Sequence, residues 1–247
     1  MKDSVERAIE AIKNSKRTTV FSGAGISVES GIPPFRGSTG LWSKYDPIVL
    51  DINYFHSNTE AAWAVIRELF YDFFGKAEPN SAHIALAELE KQGILKAVIT
   101  QNIDNLHQEA GSKEVYEYHG TAQTMVCTKC GARYKAADID LNELPPLCDN
   151  CGGVLKPDFI FFGEGIPPEA AHKSSLAAEK ADVFVVIGTT GEVMPASILP
   201  QIAKQNGAKI IEINVENSNY TNYITDIFLQ GKAGEVVPEI VKAINQV

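Results

Sequence analysis

The residues best suited to chemistry fall into a few separate stretches. Cys127-Thr128-Lys129-Cys130 and Cys148-Asp149-Asn150-Cys151 hold the chain's four cysteines in the spacing C-x2-C-x17-C-x2-C. A glycine follows the second cysteine of each pair, Gly131 in one and Gly152 in the other, and permits the tight turn around a tetrahedral ion. In a reducing compartment this spacing reads as zinc and not as disulfides. Four thiolates fill the coordination sphere and leave no position for water, so the expected ion is structural. A second stretch, Gly23-Ala24-Gly25, follows the apolar run Thr18–Ser22, where a strand would give way to a helix. Glycines let the backbone approach an anion, and free N–H groups at a helix start attract phosphate. The third glycine of a dinucleotide fingerprint is replaced here by Val28.

Two further stretches are polar where a strand ends or domains meet. Gln101-Asn102-Ile103-Asp104 follows the apolar run Ala97–Thr100, and ligands of open α/β sheets sit at that edge. Its amides and carboxylate suit either a polar ligand or an Asx turn capping the segment through Leu106 and His107. His119, in Tyr118-His119-Gly120, lies between that strand end and the cysteines, in a connection where clefts form. His83, within a helical pattern, reads as a structural or exposed histidine and not as a catalytic one.

The elements that must position these groups follow from periodicity. Val5, Ala8, Ile9 and Ile12 predict a first helix, which argues against a signal sequence. Trp63, Ile66, Leu69, Phe70 and Phe73 predict a helix over about 60–75, and Leu86 and Leu89 one over 81–92. Asp158–Glu164 reads as an apolar strand, Val183–Ile187 as a buried one ending in Gly188-Thr189-Thr190, and Lys209–Ile213 as one ending in Asn214. Helices between these strands give a βαβ rhythm. The fold class is therefore α/β, a Rossmann-like doubly wound parallel sheet with a smaller inserted zinc-ribbon and helical module. The expected domains are a discontinuous Rossmann-like domain over 1–45, 76–122 and 157–247, a helical portion over 46–75 and a zinc-binding module over 123–156.

Composition narrows the function. The 247 residues carry 22 basic and 31 acidic side chains, net −9, which disfavours a surface built to neutralise nucleic-acid phosphates. The acidic, aromatic-poor loop 136–146 makes a nucleic-acid-binding ribbon unattractive as well. No apolar run approaches the ~20 residues of a membrane span. The expected location is cytoplasmic, without nucleic-acid or membrane partners.

Together, GAGISVESGIPPFRG, TQNID, YHG, the paired CxxC knuckles, FFGE and the strand-end GTT resemble the sirtuins, NAD-dependent protein lysine deacylases, in the family's order from about residue 20 to 233. The resemblance implies NAD as a consumed co-substrate, one structural zinc on Cys127, Cys130, Cys148 and Cys151, and acetylated proteins or peptides as partners. It implies that Gly23, Ala24, Gly25, Ile26 and Ser27 hold the pyrophosphate region, with Phe35 and Arg36 in a mobile loop and Phe35 shielding the reacting ribose carbon. Gln101, Asn102, Ile103 and Asp104 would line the ribose and nicotinamide pocket, and Gly188, Thr189, Thr190, Asn214, Val215 and Ala233 the phosphate and adenosine side. His119 would be the general base, with Asn102 assisting. The peptide would enter as an added strand, contacting Ile160, Phe162, Gly163, Glu164, Val193 and Met194.

Three departures from the family stand out: Pro34 in the cofactor loop, Thr190-Gly191-Glu192 beside the peptide groove, and Ala64 three residues before Arg67, where succinyl-removing members carry Tyr-x-x-Arg. Acetyl or other uncharged acyl groups are therefore expected. The same anomeric chemistry would also serve a mono-ADP-ribosyltransferase or an NAD glycohydrolase, and a nucleotide-sensing binding module is the non-enzymatic alternative. His119 and the FFGE strand favour the deacylase, since a sensor needs neither.

Overall fold

The computed structural model describes residues 2–35, 40–73 and 77–246. Strands β1 (Thr18–Ser22), β2 (Leu95–Thr100), β3 (Val115–Glu117), β7 (Val183–Ile187), β8 (Lys209–Asn214) and β9 (Ile227–Gln230) form a six-stranded sheet in the order β3-β2-β1-β7-β8-β9. All its pairings are parallel. Every residue of β1 and β7 is buried, as a strand covered on both faces requires.

Alternation of side chains assigns the two faces. Val20, Val98, Val185, Ile187 and Ile211 pack with helices α1 (Lys2–Asn14), α4 (Ser81–Lys91) and α8 (Ala233–Asn245). Phe21, Ile99, Phe184, Val186 and Ile210 face the opposite way, toward α6 (Pro168–Lys180) and α7 (Leu199–Gln205). The sheet is thus doubly wound. Its strand order reverses between β1 and β7, and the crevice outside their carboxyl ends is where such folds bind ligands.

Between β3 and β7 in sequence lies a second sheet, β5-β4-β6, with β4 (Gly120–Cys127), β5 (Arg133–Lys135) and β6 (Leu155–Phe159) antiparallel. It shares a core with the helical portion, α2 (Ile52–Ser57) and α3 (Thr59–Ile66), through Phe55, Trp63, Ile66, Met125, Leu155 and Phe161. Trp63 is fully buried and its indole N–H donates to the Leu155 carbonyl at 2.9 Å. Burial of so large a side chain, with its polar atom satisfied, joins the two portions into one unit.

Several local expectations need correction. The helix expected after Gly23 is present as a short 3-10 helix, Ala24–Ser30, which ends at Gly31 with φ 90°. The helix expected over 60–75 changes to π winding over Arg67–Phe73, which periodicity alone does not reveal. Asp158–Glu164 is not one strand: β6 ends at Phe159, and 160–164 turns irregularly with a single parallel bridge between Asp51 and Phe162. Strands β4 and β6 each run past the expected module limits of 123 and 156, since Gly120 pairs with Phe159.

Candidate active site

Two glycine turns close on each other at the switch point. Gly23 donates its N–H to Ile187 O (3.0 Å) and Gly25 to Gly188 O (2.8 Å). A Cβ on Gly25 would stand 2.5 Å from the Gly188 Cα, and one on Gly188 only 2.6 Å from the Gly25 carbonyl carbon. Side chains are excluded from both turns, so bare backbone forms the floor of a cavity of about 700 Å³. Gly23, Ala24, Gly25, Phe35 and Gln101 line it from one side, and Gly188, Thr189, Thr190, Asn214, Val215 and Ala233 from the other. Its size lies within the roughly 300–1,000 Å³ of cofactor sites. A glycine-floored crevice at strand carboxyl ends fits a dinucleotide's phosphates.

Of the other residues predicted for the cofactor, Ile26, Ser27, Asn102 and Asp104 stand behind this wall. Ile26 and Ser27 are fully buried, so their side chains support the turn. Ser27 Oγ donates to Asp104 (2.7 Å) and accepts from Asn102 Nδ2 (3.1 Å), which also donates to Gly23 O (3.3 Å). Asp104 accepts from Leu106 N at 3.1 Å, an Asx turn that leads into the short helix α5 (Leu106–Glu109), whose N-cap is Asn105. Burial pushes its carboxyl up, opposed by the Ser27 bond. Gln101 reaches across instead, donating to Thr189 Oγ1 at 3.1 Å. Arg36 lies outside the described residues, but the loop it belongs to is tied at its ends: Leu41 N donates to Pro34 O (2.9 Å) and Trp42 N to Phe35 O (3.0 Å). Neither bond needs an N–H at position 34, so proline there costs no partner.

Ile103 and His119 line a second, smaller cavity of about 220 Å³ with all six predicted substrate residues. Phe35, Gln101 and Val193 line both cavities and so mark where they meet. His119 Nδ1 sits 3.1 Å from Gln101 O. A carbonyl can only accept, so Nδ1 carries the proton and Nε2 keeps its lone pair. Burial lowers the imidazole's pKa below its ordinary value, with the Gln101 bond opposing, which keeps the ring neutral near pH 7.

Sequence reasoning missed much of both linings. Trp42, Leu50 and Phe70 wall the smaller cavity, brought there by tertiary folding that no local pattern announces. Glu216 and Lys232 line the larger one beside the predicted Val215 and Ala233, and their adjacency was the available signal. Gly191 is explained by packing: at φ 74°, a Cβ would meet the Tyr220 ring at 2.7 Å. His83 is structural, accepting at Nδ1 from Asn80 N (3.3 Å) to close the capping box of α4.

The four cysteine Sγ atoms lie within 4.8 Å of one another, with Cys127 to Cys151 at 3.5 Å and Cys130 to Cys148 at 3.7 Å. A tetrahedron with Zn–S of about 2.3 Å requires S–S of about 3.8 Å, which the two closest pairs approach, so the four-thiol set suits zinc. The Tyr134 hydroxyl lies 3.1 Å from Cys148 Sγ and lowers that thiol's pKa by hydrogen bonding.

Residues 23–195 match the model of the Sir2 family. The NAD-dependent protein deacylase 2 of Pyrobaculum aerophilum is 44% identical over 241 residues, 96% of this chain and 94% of that protein. A solved Sir2 homologue in complex with NAD superposes with a TM-score of 0.91 at 41% identity, covering 98% of this chain and 94% of that one. A Sir2 structure with a p53 peptide and NAD+ gives a TM-score of 0.91 at 33% identity, covering 98% and 99%. With a paired-glycine crevice, a histidine-bearing side cavity and a four-cysteine cluster found together on this sheet, and with relatives matched along nearly their whole length, the chain belongs to the Sir2 family.

Proposed function

We propose that this protein removes acetyl and other uncharged acyl groups from protein lysine side chains, consuming NAD and releasing nicotinamide and 2′-O-acyl-ADP-ribose. The observation that carries the reading is the junction of the two cavities, where a neutral His119 in an apolar chamber adjoins a glycine-floored crevice across Phe35, Gln101 and Val193. Relatives named NAD-dependent deacylases support it, as does the Sir2 structure that holds peptide and NAD+ together.

Bound in the crevice, NAD would supply an anomeric carbon with nicotinamide as leaving group, against which the acyl-lysine amide oxygen acts as nucleophile. The chain's own residues then have three tasks. Gly23, Gly25 and Gly188 present bare backbone to the phosphates. Phe35 and the apolar walls keep water from the reacting carbon, which a weak amide nucleophile requires. His119 takes a ribose hydroxyl proton at Nε2, while Gln101 O keeps the ring in the needed tautomer.

Acyl preference follows from the lining. Arg67 donates to Leu141 O (2.7 Å) and pairs with Asp72 (3.3 Å), away from the chamber, and no Lys or Arg among the described residues lines the smaller cavity. A dicarboxylic acyl group would find no counter-charge there. No helix among the described residues is long and apolar enough to cross a membrane, and four metal-binding thiols suit the reducing cytosol. The acidic balance leaves nucleic acid an unfavoured partner. His119→Ala tests the reading: peptide deacylation should fall by about 10²–10⁴-fold, with NAD affinity retained. Deacylation near the wild-type rate would remove His119 as the base.

A further inference from the structure

Lys156 is a lysine where lysine is costly. It lies in β6 with its side chain 7% exposed. Its ammonium has three N–H donors, and the structure provides three acceptors, each at 2.9 Å: Pro157 O, Phe159 O and Glu164 Oε2. It also stands 4.1 Å from the centroid of the Phe161 ring. Burial pulls its pKa down, and the Glu164 carboxylate opposes that, so the charge is kept by pairing. An unpaired buried ammonium would not persist, so this one is held by the shape of the segment it binds.

That segment is the peptide-facing turn. Glu164 Oε2 accepts a second bond, from Phe161 N at 2.8 Å, and Glu164 N donates to Phe161 O at 3.0 Å. The lysine therefore folds residues 159–164 back on themselves through one shared carboxylate oxygen. The other contacts fix the turn's place: Ile160 N donates to His119 O (2.8 Å), Phe162 N to Leu50 O (2.7 Å), and Ile52 N to Phe162 O (3.1 Å). The Gly163 amide and carbonyl have no partner among the described residues, and Phe162 is 46% exposed. The backbone groups left for an added strand are those the clamp turns outward.

We propose that Lys156 is a positioning residue for the acyl-peptide: its ammonium, shared among Pro157 O, Phe159 O and Glu164, holds the 160–164 turn so that Gly163 presents free backbone to the substrate. It touches neither peptide nor cofactor. This rests on the deacylase reading of the same groove. It also gives Glu164 a role different from direct contact, because its Oε2 faces inward.

The test is steady-state kinetics with an acetyl-lysine peptide on the full chain, with NAD binding and thermal unfolding measured alongside. Lys156→Met keeps the hydrocarbon stem and removes the donors. Peptide KM should rise about tenfold, equivalent to about 1.4 kcal/mol, with kcat and NAD affinity changed by less than about threefold, the remainder of one hydrogen bond's worth. Should Lys156→Met fail to fold, Lys156→Gln decides, since its amide still donates to a backbone carbonyl while the ion pair with Glu164 is lost. It should raise peptide KM about threefold or more, with NAD affinity unchanged. A lowered unfolding temperature with unchanged peptide KM in the folded variant means a purely structural role and overturns the proposal. Wild-type protein that forms no O-acyl-ADP-ribose overturns the deacylase reading instead, so the two failures are distinct.

Discussion

Replacing Gly25 by alanine tests whether the two glycine turns make the cofactor floor. The added Cβ would lie 2.5 Å from Gly188 Cα, 2.8 Å from Gly188 O and 2.9 Å from Gly188 C, all backbone atoms. Carbon atoms rest at about 3.5–4.0 Å, so the turns must part by about 1 Å. No flexible side chain can absorb the shift. Gly188 is held by its own bonds, donating to Ile213 O (3.1 Å) and accepting from Gly25 N (2.8 Å). Overpacking of this kind costs about 1–3 kcal/mol, and loosening one backbone bond adds about 1 kcal/mol. At about 2–4 °C per kcal/mol for a chain of this size, the unfolding midpoint should fall by ~5–15 °C. If the parted turns form the phosphate floor, loss of about one backbone contact's worth, about 1.4 kcal/mol, should lower NAD affinity about tenfold. Gly31→Ala is the control: φ is 90°, but nothing lies within 4 Å of its Cβ position. It should cost about 1–2 kcal/mol of backbone strain and leave NAD affinity unchanged. Calorimetric titration with NAD and thermal unfolding of both variants give the comparison. A Gly25→Ala protein that binds NAD as wild type does would refute the reasoning.

Other consequences follow from the packing. His83 and His107 are buried with ring centroids 4.9 Å apart, and desolvation lowers their pKa values from 6.5 to about 4 and about 3. A histidine whose folded pKa is depressed contributes stability that is fully present above pH 6.5 and lost as pH falls toward the folded value. Stability should therefore fall between pH 6.5 and 4 by up to about 1.4 kcal/mol per pH unit for each ring. A flat profile over that window, measured by urea unfolding, would contradict the burial. Trp63→Ala should cost about 3–5 kcal/mol, and Trp63→Phe less, because the indole both fills the shared core and bonds Leu155 O; equal unfolding midpoints would deny that the helical and zinc portions fold as one. Stripping zinc with a chelator should open β4, β5 and β6 to proteolysis and remove deacylation secondarily, whereas metal-free protein that stays resistant and active would remove the structural role.

The parts legible in the sequence are those that local chemistry dictates. The parallel sheet announced itself through continuous apolar runs such as Val183–Ile187, and the C-x2-C pairs needed only their spacing to imply the cluster seen at Cys127 to Cys151. Gly23 and Gly25 were visible as glycines, but what they exclude, the close approach of Gly188, is a contact across 163 positions of chain that only folding reveals. The misread stretch was Asp158–Glu164. Its apolar residues look like a strand, yet Lys156 and Glu164 bend it, because a buried ion pair overrides β-propensity. Gln101, Asn102 and Asp104 suited either a polar ligand or an Asx turn, and their spacing could not divide them. Two of them bond inward to Gly23 and Ser27, and Gln101 alone lines the cavities.

The central claim is that the crevice and the His119 chamber act together on NAD and an acyl-lysine. Mass spectrometry of the products formed from NAD and an acetyl-lysine peptide tests it most directly. The account predicts nicotinamide, deacetylated peptide and O-acetyl-ADP-ribose in equal amounts. Plain ADP-ribose with the peptide left acetylated would contradict it.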